Sequence, residues 1–223
     1  MPHIPQWKRL LSYLTDIRLD ESGSAYNPHL EVLLAKGRLQ LVSRNAVYSY
    51  DDLYLNFYRA FRQIDIGERD IKSALVLGLG LGSVPYMLEY KFGVECHFTA
   101  VELDPEVIYL AEKWSLPRLQ SPITTYQADA AAYVYTCTEQ FDLITVDVFD
   151  DDKVPVAFEQ PRFLARIREL LTPNGILLYN RLAALERDVI ATQHFYEYTF
   201  KPAFPQGTYM DTRGNWMLCN VKP

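Results

Sequence analysis

The chain has 223 residues, a formal net charge of −6 and a hydrophobic share of 49%, a composition of globular rather than disordered proteins. The acidic balance speaks against a nucleic-acid partner, which needs a basic face. It is compatible with a cationic small substrate steered by a negative cleft, or with acidity that only keeps the chain soluble.

The first 29 residues are mixed, with a short amphipathic start (Trp7, Leu10, Leu11, Leu14) and a polar stretch DESGSAYNP. LEVLLA and RLQLV flank Lys36-Gly37 and predict a tight hairpin. Asp51-Asp52 is expected to open a helix, because Leu53, Phe57, Ala60 and Phe61 follow at helical spacing and acids suit a helix N-terminus. From Ser73 strands and helices alternate: strand ALVLG, helix SVPYMLEYKF, strand CHFTAVE, helix PEVIYLAEKW, strand ITTYQAD, helix AAAYVYT, strand FDLITVDVF, helix PRFLARIRELL and strand ILLYN. Pro173-Asn174-Gly175 is expected to close the last of these helices. A further helix spans about residues 184–200, and GTYMDT and NWMLCNV read as a hairpin around Arg213-Gly214. Such alternation implies an α/β fold, a parallel sheet with helices on both faces. Finished by an antiparallel hairpin, it is the layout of a Rossmann-like, class I methyltransferase-type sheet. Residues 1–70 then form an N-terminal β-hairpin and helical extension, and residues 71–223 the Rossmann-like nucleoside-binding domain.

Four strand ends carry the chemistry. VLGLGLGS places Gly78, Gly80 and Gly82 between a strand and a helix, where missing side chains let a ligand approach the backbone. A nicotinamide-type motif would need glycine at Ser83, and a plain tight turn needs no ligand. In VELDP, Glu102 ends the second parallel strand, about 20 residues past the glycines, where a carboxylate can accept both hydrogen bonds of a ribose diol. The alternative, a helix-capping acid, is better served by Asp104, just before Pro105. In QADA, Asp129 can accept from an adenine amino group and the Ala130 N–H can donate to the ring; Asp129 is equally placed to cap the following helix. In VDVFDDD, Asp147 lies where open α/β sheets bind ligands. With Asp150 it can hold a cationic acceptor and take a proton from an ammonium nucleophile, whereas Asp151 and Asp152 read as a solvated loop.

Other features bound the reading. No apolar run reaches the roughly 18 residues of a membrane helix, and the start MPHIPQWKRLLSYL lacks a signal-peptide core and cleavage site. Cys96, Cys137 and Cys219 form no CxxC pair, which fits a reducing, cytoplasmic setting. The scattered His3, His29, His97 and His194 predict no metal site.

Together these motifs resemble the spermidine synthase family of polyamine aminopropyltransferases, a branch of the S-adenosylmethionine-dependent methyltransferase-like superfamily, from about Leu30 to Asn180. LEVLLAKGRLQL is similar to the family's N-terminal hairpin with its glycine and glutamine, here Gly37 and Gln40. VELDP and QADA match its nucleoside-binding segments, and FDLITVDVFDDD is similar to its YDxIxxDxxDP. The resemblance implies that S-adenosylmethionine or its decarboxylated form is co-substrate, without metal. It implies a small-molecule amine acceptor bound with Gln40 and Asp150, and Asp147 with Tyr48 or Tyr50 as catalytic residues. A homodimer is allowed; no nucleic acid or membrane is expected.

The sequence departs from the family at three places. Leu81 stands where the family's GGGDGG loop has the Asp that contacts the donor amine. Tyr50-Asp51-Asp52 stands for Tyr-His-Glu, one residue out of register. Asp151 replaces a proline. Val76 likewise stands where a methyltransferase has its amine-holding acid. The leading expectation is aminopropyl transfer. Methyl transfer, or a catalytically silent nucleoside- or polyamine-binding member, is the alternative, and Leu81→Asp is expected to shift preference toward the decarboxylated donor.

Overall fold

The computed structural model describes residues 2–44, 46–149 and 153–221. Two sheets organise it. A four-stranded antiparallel sheet has the order β1-β2-β3-β4, with β1 Ile17–Ser22, β2 Leu30–Ala35, β3 Arg38–Ser43 and β4 Val47–Ser49. The predicted hairpin lies between β2 and β3. Lys36 and Gly37 both have positive φ, 50° and 74°, the combination that matches the twist of a two-residue turn to its strands. The sequence reading passed over β1, because its apolar alternation is limited to Ile17 and Leu19 and it forms an edge strand with no fully buried residue.

The second sheet has seven strands in the order β10-β11-β9-β8-β5-β6-β7. They are β5 Ser73–Leu77, β6 His97–Glu102, β7 Ile123–Gln127, β8 Phe141–Val146, β9 Leu171–Leu182, β10 Thr208–Asp211 and β11 Asn215–Cys219. Strands β5 to β9 run parallel, while β11 and β10 close one edge antiparallel. The central parallel strands β5 and β8 are near-continuous apolar runs, as burial on both faces requires, while the edge strand β7 is polar and has no fully buried residue. Chain order runs from β5 outward through β6 to β7, then crosses back to β8 on the other side of β5. The carboxyl ends of β5 and β8 therefore flank a topological switch point, the ligand crevice of open α/β sheets.

The helices are α1 Gln6–Leu11, α2 Leu55–Gln63, α3 Ser83–Phe92, α4 Pro105–Trp114, α5 Ala130–Thr136, α6 Pro161–Leu170 and α7 Glu186–Phe195. After α7 a π turn covers Tyr196–Phe200. One buried cluster joins Leu30, Leu41 and Phe61 of the N-terminal part to Ala74, Met87 and Leu178 of the large sheet and its helices; a second, holding Phe141, Phe163 and Tyr179, fills the opposite face.

Two local expectations need correction. Asp51-Asp52 does not open a helix: α2 starts at Leu55, and the acids form a 3₁₀ turn with Asp51 at φ 40°. Both are buried and ion-paired, Asp51 with Arg118 at 2.5 Å and Asp52 with Arg38 and Lys91. Burial without partners would be too costly, so these acids serve tertiary pairing rather than a helix dipole. Pro173-Asn174-Gly175 closes no helix either. It lies within β9, where pairing jumps from Phe141–Leu171 to Leu143–Ile176 and the intervening residues bulge outward.

Candidate functional site

A cavity of about 920 Å³ opens over the carboxyl ends of the parallel strands, roofed by β4 and α2. It is bounded by the glycine turn after β5, by the ends of β6, β7 and β8, by Asn180 of β9 and by the β10–β11 turn. Gly78 has φ of 90°, and a Cβ there would run into the Asp147 carbonyl oxygen. The turn after β5 and the end of β8 are thus in backbone contact. Gly80, with φ of 54°, faces the N-terminal sheet, and a Cβ there would stand 3.0 Å from the Tyr48 carbonyl oxygen. Gly82 does not line the cavity. It precedes α3 and packs against Leu116, so its missing side chain serves close packing.

Asp147 lines the cavity one residue beyond β8. Its backbone N–H donates to the Leu77 carbonyl at 2.9 Å, and its Oδ1 accepts from Asn180 Nδ2 at 2.8 Å. The Tyr54 hydroxyl also hydrogen-bonds to it. Burial pushes the carboxyl up to about 6, against the Asn180 and Tyr54 hydrogen bonds, and the Glu102 charge adds to the rise. Burial and the adjoining Asp147 charge hold the Tyr54 phenol well above its ordinary range, so Tyr54 is a donor rather than a base. Asn180 Oδ1 is buried with no hydrogen-bond partner among the described residues.

At the other end, Glu102 Oε2 accepts from Leu79 N at 3.1 Å and Gly80 N at 3.4 Å, while Oε1 accepts from Leu103 N at 2.8 Å and Asp104 N at 3.1 Å. This carboxylate therefore shapes the glycine turn, and a ribose diol would have to share its oxygens. Burial raises its pKa despite these donors. Asp129 lines the cavity beside Ala130 and caps α5, accepting from Ala132 N at 2.8 Å through Oδ1. Asp104 caps α4 through Oδ1 and accepts from Ser24 Oγ at 2.6 Å and Asn27 Nδ2 at 2.7 Å through Oδ2, which ties the N-terminal loop to the cavity rim.

Tyr48 and Tyr50 both line the cavity. Tyr48 donates its hydroxyl to Asn27 Oδ1 at 2.7 Å. Burial raises the Tyr50 phenol. Sequence reasoning missed Tyr54, which lies between the 3₁₀ turn and α2; its signal was position, the last residue before the amphipathic helix that roofs the cavity. Gln40 is not part of the cavity lining. It alternates with the buried Leu39 and Leu41 of β3 and projects from the other face of that strand. Asp150 lies outside the described residues. Leu81 does not face a ligand: it is 1% exposed and belongs to the apolar core. Val76 is buried within β5. Among the described residues no group of His, Cys, Asp and Glu is arranged to hold a metal ion, and no helix is long and apolar enough to cross a membrane.

No family model matches the chain. A spermidine synthase solved in complex with the transition-state analogue AdoDATO superposes with a TM-score of 0.68 at 17% identity, over 91% of this chain and 72% of that one. A probable polyamine aminopropyl transferase of Bifidobacterium longum is 31% identical over 108 residues, 48% of this chain and 24% of that protein. The chain has the methyltransferase-like fold, which spermidine synthases and methyltransferases share. Similarity to methyltransferases is of the same extent: the human eEF1A lysine and N-terminal methyltransferase is 30% identical over 118 residues, 48% of this chain and 17% of that protein. The matched stretch is well under half the length of these curated relatives. At the end of β8 the chain places Asp147 on the cavity, while the Leu81 side chain joins the core.

Proposed function

We propose that the chain is a transferase that uses an S-adenosylmethionine-type nucleoside as co-substrate and moves a group from its sulfonium to an amine, with aminopropyl transfer as the leading reaction. The observation that carries this reading is Asp147 at the switch point, held by Asn180 and Tyr54, with its carboxyl raised to about 6. The nucleoside would lie over β6 and β7, with ribose at Glu102 and adenine between Asp129 and Ala130.

In this reaction the amine lone pair forms a bond to the carbon beside the sulfonium. The C–S bond breaks, its electrons return to sulfur and methylthioadenosine leaves. A sulfonium needs no acid to depart, so the protein aligns the nucleophile and removes its proton. Asp147 is ionised at neutral pH yet more basic than an ordinary carboxylate, which suits that transfer. The unpartnered Asn180 Oδ1 offers a second acceptor beside it.

Methyl transfer in the same cavity is the second reading. It is favoured by Leu81, which leaves the donor tail without the acid that would recognise a bare aminopropyl cation. Incubating the protein with S-adenosylmethionine or its decarboxylated form and an amine panel, followed by mass analysis, separates the readings. Methylthioadenosine with an extended amine supports aminopropyl transfer, and S-adenosylhomocysteine supports methyl transfer. Neither product, with nucleoside still bound, makes the chain a silent binder.

A further inference from the structure

Buried Arg181 meets Glu159 at 2.5 Å and half-buried Arg118 meets Asp51 at 2.5 Å, as the cost of desolvating a cation demands. Arg59, half-buried, and Arg213, exposed, are placed differently. Both line the main cavity, and among the described residues neither has a carboxylate within ion-pair distance. Arg59, half-buried on α2, gives one N–H to the Thr212 carbonyl and keeps further donors on the same guanidinium. Arg213 is held at the β10–β11 turn, with φ of 64° and its backbone N–H on Asp211 Oδ1 at 2.8 Å.

Sheet order sets their place. Glu102 and Asp129 stand at the β6 and β7 end, and Asp147 follows β8. The β10–β11 turn lies beyond β9, two strand positions further on, roughly 10 Å at the usual spacing. The two arginines therefore sit across Asp147 from the nucleoside end, where an acceptor rather than the donor would extend. A second ammonium would be repelled there; an anion would be held by planar guanidinium forks.

We propose that the acceptor is an amine that also carries an anionic group, a carboxylate or phosphate, held by Arg59 and Arg213 while its nitrogen is presented to Asp147. This rests on the nucleoside reading given above. The test is calorimetric titration of 5-aminopentanoate, O-phosphoethanolamine and cadaverine into the protein, with and without saturating methylthioadenosine. At least one anionic amine should bind tenfold or more tightly than cadaverine. Arg59→Gln, which keeps a donor for the Thr212 carbonyl, and Arg213→Gln, at an exposed position, should each reduce that advantage at least fivefold with methylthioadenosine affinity unchanged.

Equal or tighter binding of cadaverine, no binding of any amine, or an advantage that survives both substitutions would overturn the proposal. So would a loss of S-adenosylhomocysteine affinity in Arg59→Gln with methylthioadenosine unaffected, because the anion would then be the donor's carboxylate. If wild-type protein fails to bind methylthioadenosine, the nucleoside reading falls instead, and the titrations without nucleoside still decide whether the arginines select an anion.

Discussion

The Asn180 side-chain amide donates to Asp147 Oδ1 at 2.8 Å across the neighbouring strands β8 and β9. A donor aimed at a carboxylate favours its ionised form, here against the burial that raises Asp147 to about 6. A rate that needs the ionised carboxylate should fall as pH drops through about 6. Asn180→Ala removes the donor, so the acid limb of the kcat/KM profile should move upward by about one to two pH units, since hydrogen bonds to charged groups are worth about 1.5–3 kcal/mol. An unmoved limb would detach Asn180 from Asp147 titration.

Asp147→Asn should cut turnover by roughly 10²–10⁴-fold, the range for loss of a general base. Its effect on stability has a distinct sign. The folded carboxyl titrates above its ordinary 3.8, so the folded state binds more protons between about 4 and 6. Wild-type stability is therefore eroded as pH rises through that window, and the cost is fully present above it. Asn carries no such cost. The stability of the variant relative to wild type should grow across the window, to about 3 kcal/mol by pH 7.5. Urea unfolding at pH 4, 5, 6 and 7.5 reads the difference. A pH-independent loss of stability with normal turnover would make Asp147 a structural cap.

Gly78→Ala tests the contact between the turn and β8. The new Cβ would overlap the Asp147 carbonyl oxygen, and the φ of 90° is one that L side chains rarely adopt. Backbone cannot yield as a side-chain tip can, so a loss of roughly 3 kcal/mol or more is expected. Gly93→Ala is the control, with positive φ but nothing within 4 Å of a new Cβ, and should cost about 1 kcal/mol. Equal costs at the two positions would remove the steric argument.

The parallel sheet was legible because its central strands are apolar runs with helical periodicity between them, and the strand-end acids were legible because the switch-point rule says where to look. Asp147, Glu102 and Asp129 come to one cavity for that reason. Residues whose importance depends on packing between distant segments were not legible. Tyr54 reaches Asp147 only once α2 has docked on the large sheet, and Arg59 meets Thr212 across 153 positions of sequence. Asp51 and Asp52 looked like helix-opening acids because local rules cannot see Arg118, Arg38 and Lys91. Gln40 was drawn into the site by motif similarity, while β3 alternation points it elsewhere.

Glu102→Gln separates two roles of one carboxylate. With four backbone N–H groups on its oxygens, the side chain holds the glycine turn. Gln has a single carbonyl oxygen and an amide that must face donors. Stability should drop by about 1–3 kcal/mol even without ligand, and affinity for methylthioadenosine should fall with it. If stability drops while calorimetric affinity is unchanged, Glu102 is a turn-holding residue and the ribose assignment is lost.

Leu81→Asp decides between a reading of sequence alignment and one of structure. By motif resemblance, position 81 corresponds to the donor-contacting Asp of spermidine synthases, and from sequence alone an acid there should recruit the decarboxylated donor. The structure puts Leu81 at 1% exposure among apolar side chains, away from the cavity lining. An ionised Asp there would lose the hydrophobic contribution of a buried Leu and gain an unpaired charge, a combination worth roughly 4 kcal/mol or more. The expected outcome is a large fall in the urea midpoint, softened at low pH where the acid is neutral. The ratio of affinities for S-adenosylmethionine and its decarboxylated form should stay the same in whatever fraction remains folded. Leu81→Asn, without charge, should be destabilised to a similar degree at neutral pH only if desolvation of any polar group dominates; a milder loss identifies the charge as the main cost. A stably folded Leu81→Asp protein with a donor preference shifted tenfold toward the decarboxylated form would mean that the turn after β5 re-forms to present this side chain to the cavity.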